Sequence, residues 1–270
     1  MRVNRSSYYK HFNSKPSPRT LENQKIKSAI LAIYFSSKKR LGVYKINSLL
    51  SSEYGINISI GRTYRLFKSM NLPKMSTVKP FIKYNKSNLD TTNRNNILNR
   101  NFNIDEPNLV WVSDITYVKV NGTFFYVCVI IDLFSRKVIT YKCSSSMSAN
   151  LVINCFKEAF IKRNKPKNLI FHSDQGSQYT SKQFRDILDK FNVCQSVSNP
   201  GCPYDNAVAE SFFKFLKLEE LNRKSFSNKQ DLELSLFEYI EGFYNSRRPH
   251  SFNKMLSPNQ KEDLFFNTNF

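Results

Sequence analysis

The sequence predicts an α/β fold, a mixed five-stranded sheet with flanking helices, preceded by a small all-α domain. Three observations lead there. Residues 110–143 read as three consecutive strands, the first two joined by Asn121-Gly122. From residue 148 onward helical and strand patterns alternate, the order that builds a sheet flanked by helices. Before residue 74 the apolar residues recur at helical spacing instead.

In chain order, residues 1–20 form a basic leader and residues 21–73 a helical domain. Its first helix spans 21–35, with Leu, Ile and Phe on one stripe. The second runs from Val43 to Tyr54 and stops at Gly55, a residue suited to a left-handed helix cap. The third starts after Ser59, an N-cap residue type, runs to Met70 and is closed by Pro73. Two short helices joined by about four residues that include a Gly have a helix-turn-helix outline. Arg62, Arg65 and Lys68 beside Thr63 then form a surface that could enter a DNA groove. A helical bundle with solvated charges is the plainer alternative.

Residues 74–106, with Pro80 and an Asn-rich run from Asn93 to Asn103, read as a linker or arm. Residues 107–268 read as one larger domain. Strand 110–120 alternates, turns at Asn121-Gly122 and returns as 123–131, the strongest short-range signal for a hairpin. A third strand spans Lys137 to Cys143. Helix 148–163, buried strand 168–172, helix 181–191 and strand 193–197 follow. A helix carrying Glu210 and a last helix at about 230–245 complete the order.

Composition narrows the function. The longest apolar run, Phe124 to Ile131, is too short for a membrane span of ~18 residues or more. No apolar segment follows the basic N-terminus, so the expectation is a soluble, cytoplasmic, nucleoid-associated chain without membrane contact. Five cysteines form no CxxC pair, and three histidines cannot complete a zinc finger. Reduced, mostly buried thiols are expected. The net charge is +20, with 20 Lys+Arg against three acids in residues 1–100 and 21 against 18 thereafter. A basic front half points to a polyanion, and DNA is the expected partner.

Three acids carry the chemistry. Asp114 shares a strand face with Val112 and Thr116, where a carboxylate without a partner is costly. Asp174 follows an apolar run, at the C-terminal strand edge where open α/β sheets place ligands. Glu210 lies in the first turns of its helix, where the dipole favours negative charge. On that helix Val208, Phe212, Phe215 and Leu216 cluster on one face, and Glu210, Lys214 and Lys217 on the opposite one. The lysines suit DNA phosphates beside a metal. If the fold gathers the acids, like charges about 4 Å apart cost on the order of 4 kcal/mol per pair at an effective dielectric near 20. Divalent ions offset that cost, and oxygen-only ligands favour two Mg²⁺, with Mn²⁺ able to substitute. No nucleotide cofactor is needed. His172 and Gln175 flank Asp174 as supporting residues. Arg247 and Arg248 could meet a phosphate, Asp132 reads as a turn or salt-bridge residue, and Asp205 as a helix cap.

Three stretches are specific: Trp111-Val112-Ser113-Asp114-Ile115-Thr116-Tyr117, His172-Ser173-Asp174-Gln175-Gly176-Ser177-Gln178-Tyr179, and Tyr204-Asp205-Asn206-Ala207-Val208-Ala209-Glu210-Ser211-Phe212-Phe213. Thirty-five residues separate Asp174 from Glu210. The combination resembles the DDE core of insertion-sequence transposases and retroviral integrases, and most closely the second-reading-frame subunit of the IS3 family. It extends from Ser6-Ser7-Tyr8-Tyr9 to Leu256-Ser257-Pro258. The resemblance implies an RNase H-like catalytic core, metal-dependent DNA strand cleavage and transfer, and action on transposon ends and target. It also implies an upstream-frame subunit or fusion and a homo-oligomer in the DNA complex. The chain departs from the family pattern at Ser198-Asn199-Pro200-Gly201-Cys202-Pro203 and at Asn253-Lys254-Met255. A catalytically idle DNA-binding regulator and an RNase H-fold nuclease are the rival readings.

Overall fold

The computed structural model describes residues 16–73 and 95–269, together with Arg5 and Tyr9. Most of the expected leader, the Ser6-Ser7-Tyr8 stretch and linker residues 74–94 lie outside the described residues. The chain divides into two compact units, Met1–Met75 and Ser76–Phe270.

In the first unit, α1 (Pro18–Ser36) opens with Ser17 as its cap, the Ser17 hydroxyl accepting from the Thr20 N–H at 3.2 Å. Ile26, Ala29, Ile30, Ile33 and Tyr34 form its buried stripe. Helix α2 (Val43–Tyr54) buries Ile46, Leu49 and Leu50 and ends on Gly55 at φ 66°, the left-handed geometry glycine adopts at no steric cost. Helix α3 (Ile60–Ser69) is capped by Ser59 and buries Thr63, Leu66 and Phe67. The Asn47 amide donates to Thr63 Oγ1 at 2.8 Å and to the Ile58 carbonyl at 2.9 Å, fixing the turn between α2 and α3. Thr63 therefore faces the interior, not a ligand.

In the second unit the sheet order is β3-β2-β1-β4-β5. Strands β1 (Val110–Val120) and β2 (Thr123–Asp132) pair antiparallel from Trp111↔Asp132 to Val120↔Thr123. Asn121 at φ 42° and Gly122 at φ 86° make the tight left-handed turn that matches strand twist. Strand β3 (Val138–Ser144) pairs antiparallel with β2, with a register shift at Ile130/Ile131. Strands β4 (Ile170–Ser173) and β5 (Cys194–Val197) run parallel to β1 and to each other, connected through helices. Helix α4 (Ala149–Lys162), the short α5 (Ser177–Thr180) and α6 (Lys182–Lys190) supply those connections. Trp111, Cys128, Ile130 and Phe171 from the sheet pack with Phe156, Phe160, Phe184 and Leu188 from the helices in one apolar cluster. Phe156 sits at its centre, edge-on to Phe171 at 5.4 Å and to Phe184 at 5.9 Å between ring centroids.

A 3₁₀ turn (Pro203–Asn206) leads into α7 (Ala207–Glu219), and α8 (Lys229–Tyr239) continues into a π-helical turn (Ile240–Asn245). The sequence reading ends its helices near residue 245. The structure adds α9 (Pro258–Asn269), whose polar sequence carries no apolar stripe. Charge holds it instead: buried Glu262 accepts from Arg163 at 2.7 Å, Lys137 at 2.9 Å and Ser135 at 2.9 Å.

Residues 95–106 also depart from the linker expectation. Leu98 is buried, its N–H donates to Ser196 Oγ at 3.0 Å, and Asn96 and Arg100 bond Asp205 at 2.8 and 2.6 Å. The segment belongs to the second unit as a strap over β5. All five cysteines are free, though only Cys128 and Cys155 are buried. Among the described residues no helix is long and apolar enough to cross a membrane.

A Cβ at Gly122 would meet nothing within 4 Å, so substitution there is penalised through the backbone alone. Gly122→Ala is expected to cost about 1–2 kcal/mol, the left-handed penalty for a residue with a Cβ. A urea midpoint that drops with unchanged slope confirms this, and an unchanged midpoint refutes it.

Candidate active site

The parallel pairing of β1 with β4 assembles the site. Val110, Trp111 and Val112 lie level with Ile170, Phe171 and His172. Two residues further on come Asp114, within β1, and Asp174, one residue past the end of β4, which the period-two alternation directs to the same side of the sheet. Neighbouring strands are about 4.8 Å apart, so the two carboxylates are neighbours across the sheet edge. Asp114 is half-buried, and its Oδ1 accepts from the Ile115 N–H at 2.7 Å. Asp174 lies just beyond β4, and its Oδ1 accepts from the Gly176 N–H at 3.0 Å. A Cβ on Gly176 would come within 3.0 Å of that same oxygen, so the close backbone approach requires glycine here.

Glu210 arrives on the first turn of α7. Buried Asn206, at the start of that helix, donates from Nδ2 to the Ser113 carbonyl at 3.1 Å. The helix start is thus tied to the strand residue next to Asp114. The helix buries Ala209, Phe212, Phe213 and Leu216, while Glu210 and Lys214 are exposed and Lys217 half-buried. The core stripe is rotated from the expected one, since Val208 and Phe215 are only half-buried. Separate core and chemical faces nonetheless exist.

The three acids share one electrostatic field. Burial first, and then the Asp174 and Glu210 charges, raise the Asp114 pKa to about 8, against the opposing pull of the Ile115 N–H and Lys217. Crowding by protein also raises Asp174, although its surface reaches solvent, and the Gly176 N–H opposes the shift. Glu210 is raised by desolvation and by the Asp174 charge. Among the described residues no three His, Cys, Asp or Glu side chains close into a tight ligand set. What the structure brings together is a strand-edge pair, with Glu210 facing it from α7.

Several sequence expectations are corrected at this level. Arg248 is buried and bonds Glu219 through Nε and Nη2 at 2.8 and 2.6 Å, so it cannot meet a phosphate. Glu219 also accepts from the Tyr239 hydroxyl at 2.9 Å. Arg247 is half-buried beside it. Arg62 is engaged by Glu22 at 3.0 and 2.7 Å and by Asn23 at 2.9 Å, leaving Arg65 and Lys68 as the exposed cations of α3. His172 is buried, with Nδ1 2.9 Å from Ser196 Oγ and Nε2 3.2 Å from Ser198 Oγ. Burial lowers its pKa to about 4 despite Asp205 nearby, so it is a neutral brace between β4 and β5 and cannot touch DNA. Gln175 donates to the Ser198 carbonyl at 3.0 Å. Asp205 caps no helix and instead accepts from Asn199, Asn96 and Arg100. Asp132 is the turn residue expected, accepting from the Phe134 N–H at 2.8 Å and the Asn108 N–H at 2.7 Å.

Sequence reasoning missed Asn206 and the Glu219–Arg248 pair. A signal for the second was present, because adjacent acids Glu219 and Glu220 sit at the helix end where the dipole disfavours negative charge.

The chain is similar to known proteins. An integrase core domain family matches residues 105–203, which include Asp114 and Asp174. A second integrase core domain family matches residues 192–258, which include Glu210. The transposase for insertion sequence element IS904 of Lactococcus lactis is 35% identical over 88% of this chain and 93% of its own length. The chain belongs to the IS3 family of insertion-sequence transposases. Transposase InsF of IS3A from Escherichia coli is 33% identical over 97% of this chain and 91% of that protein, so the family relationship includes the N-terminal helices. The catalytic domain of Mos1 mariner transposase superposes with a TM-score of 0.44 at 19% identity, covering 50% of this chain and 71% of that one. The mixed five-stranded sheet lies within the stretch that the integrase core domain family matches.

The raised Asp114 pKa has a thermodynamic sign. With its folded pKa near 8 and an unfolded value near 3.8, the folded state holds the proton more tightly between those limits. Asp114 therefore subtracts stability progressively as pH rises from about 4 to 8. In metal-free protein Asp114→Asn is expected to raise the melting temperature at pH 8 and leave it nearly unchanged at pH 4. Calorimetry at both pH values checks this, and a variant less stable at pH 8 contradicts it.

Proposed function

We propose that this transposase cuts and joins DNA strands by in-line phosphoryl transfer at Asp114, Asp174 and Glu210, with two divalent cations. The β1–β4 register, which continued past Val112 and His172 brings Asp114 beside Asp174, carries the reading, together with an Asp114 pKa driven up to about 8. Carboxylates so placed repel each other unless a cation neutralises them, and an all-oxygen donor set selects Mg²⁺, with Mn²⁺ as substitute. Asp114 and Asp174 are held by backbone donors at fixed positions on the sheet edge. Exposed Glu210 has the rotamer freedom to close on them from α7. Two such ions supply activation of an attacking oxygen and stabilisation of a leaving one. The protein supplies orientation: the sheet edge sets the paired carboxylates, and the anchored start of α7 sets the third.

DNA is the substrate this chemistry requires. Lys214 and Lys217 follow Glu210 by one and two turns on the same helix, placed to meet phosphates beside the carboxylates. Arg65 and Lys68 on α3 serve the helix-turn-helix as its exposed cations. Transposon ends and target are the two DNA partners, joined by an upstream-frame subunit and by further copies of the chain. No nucleotide cofactor enters the scheme. All three acids are present, which disfavours a catalytically idle regulator.

The test is Mn²⁺-dependent cleavage and joining of a branched DNA carrying a transposon end, with wild type beside Glu210→Gln. Both activities are expected in wild type, alone or fused to its upstream frame, with a loss of about 10²–10³-fold in the variant, as for other groups that stabilise developing charge. Full activity in Glu210→Gln overturns the assignment. Cleavage without joining would reassign the chain as a nuclease.

A further inference from the structure

A groove of about 840 Å³ opens beside the candidate active site, between the β1–β2 hairpin and the segment that follows α7. Tyr117, Lys119, Asn121 and Phe124 line it from the hairpin, and Lys217, Asn222, Lys224 and Ser225 from the other wall. Among the described residues no carboxylate lines it. The walls are fixed to each other, since the Asn121 N–H donates to the Phe226 carbonyl at 3.1 Å. Lys217 joins the groove to the carboxylates: its Nζ lies 5.1 Å from the Tyr117 ring centre, and its charge acts on Asp114. Lys224 is held by Glu220 at 2.6 Å, which leaves Lys119 and Lys217 as the cations presented to a ligand.

Two aromatic rings stand out of this groove. Tyr117 is 44% and Phe124 48% exposed, and they meet edge to face at 5.4 Å between centroids. One exposed ring on a surface needs no explanation. Two on adjacent strands, flanked by lysines and leading to a phosphoryl-transfer site, make a stacking platform with an electrostatic rail. A duplex cannot use it, because paired bases hide the flat faces that stack on aromatic rings. An unpaired strand can, its bases on Tyr117 and Phe124 and its phosphates on Lys119 and Lys217.

Building on the proposed DNA-joining activity, we infer that this groove is a subsite for an unpaired stretch of the DNA strand flanking the reacting phosphate. The hairpin then has a role of its own: it keeps the strand beside the cut from re-pairing while the three carboxylates act.

The experiment uses the full chain in EDTA, so that binding is read without cleavage. The probes are a short blunt duplex and the same duplex with a single-stranded extension of about six nucleotides carrying 2-aminopurine, a length within the span of single-strand sites. Wild type is expected to bind the extended duplex at least ~5-fold more tightly than the blunt one, the low end for stacking one base, and to quench the 2-aminopurine fluorescence. Tyr117→Ala with Phe124→Ala removes both effects and keeps blunt-duplex binding. Both side chains are exposed, so a folding defect is not expected, and circular dichroism checks this. Equal binding of the two probes by wild type, no quenching, or a preference that survives the double variant overturns the inference. Glu210→Gln separates it from the catalytic reading: quenching that persists while cleavage is lost supports both, and cleavage without any quenching in wild type defeats only the groove.

Discussion

The β1–β4 register is the constraint on which the site depends. Parallel pairing of Val112 with His172 brings Asp114 on the central strand beside Asp174 at the C-terminal end of β4, with two strands between β1 and β4 in the chain but none in the sheet. A shift of one residue would turn one of the two carboxylates to the opposite face, where Trp111, Cys128 and Phe171 pack against Phe156. The aromatic cluster therefore does more than stabilise the domain. It specifies the register, because a slip of one residue would carry a carboxylate in among phenylalanines.

The third acid depends on how α7 is held. Its start is tied to β1 through Asn206 and the Ser113 carbonyl, and its end through Glu219 to Arg248 and Tyr239. Burial alone would lower the Arg248 pKa, yet the two-pronged contact with Glu219 more than offsets this and the guanidinium stays charged. Phe215 lies 4.4 Å from the Arg248 guanidinium carbon, so the same arginine also packs on the helix. Between those two anchors Glu210 and Lys214 are exposed and Lys217 is half-buried beside them. A rigid helix thus presents one carboxylate to a pair that the sheet has already fixed.

Local signals made much of this legible. Asn121-Gly122 named the hairpin, Ser59 caps α3 and Gly55 ends α2 as their types suggest. The acids could be singled out because each is costly or special in its own short context. Pairings distant in sequence were not legible. Arg248 meets Glu219 across 29 residues, and Arg100 meets Asp205 across 105, so periodicity could mark neither. The first misled the sequence reading toward a phosphate contact. The second disguised a strap as a linker, because the Asn-rich composition that signals a loop also supplies the amides that bond it to the core. Helix α9 escaped for a related reason, being held by Glu262 and not by an apolar stripe.

The central claim is that Asp114, Asp174 and Glu210 act together on divalent cations. Titration of the metal-free chain with Mn²⁺, followed by electron paramagnetic resonance of the unbound ion, addresses it without DNA or turnover. The account predicts saturable binding in wild type that is lost in Asp114→Asn and in Asp174→Asn and weakened in Glu210→Gln. Binding of equal strength and number in all four proteins would contradict it.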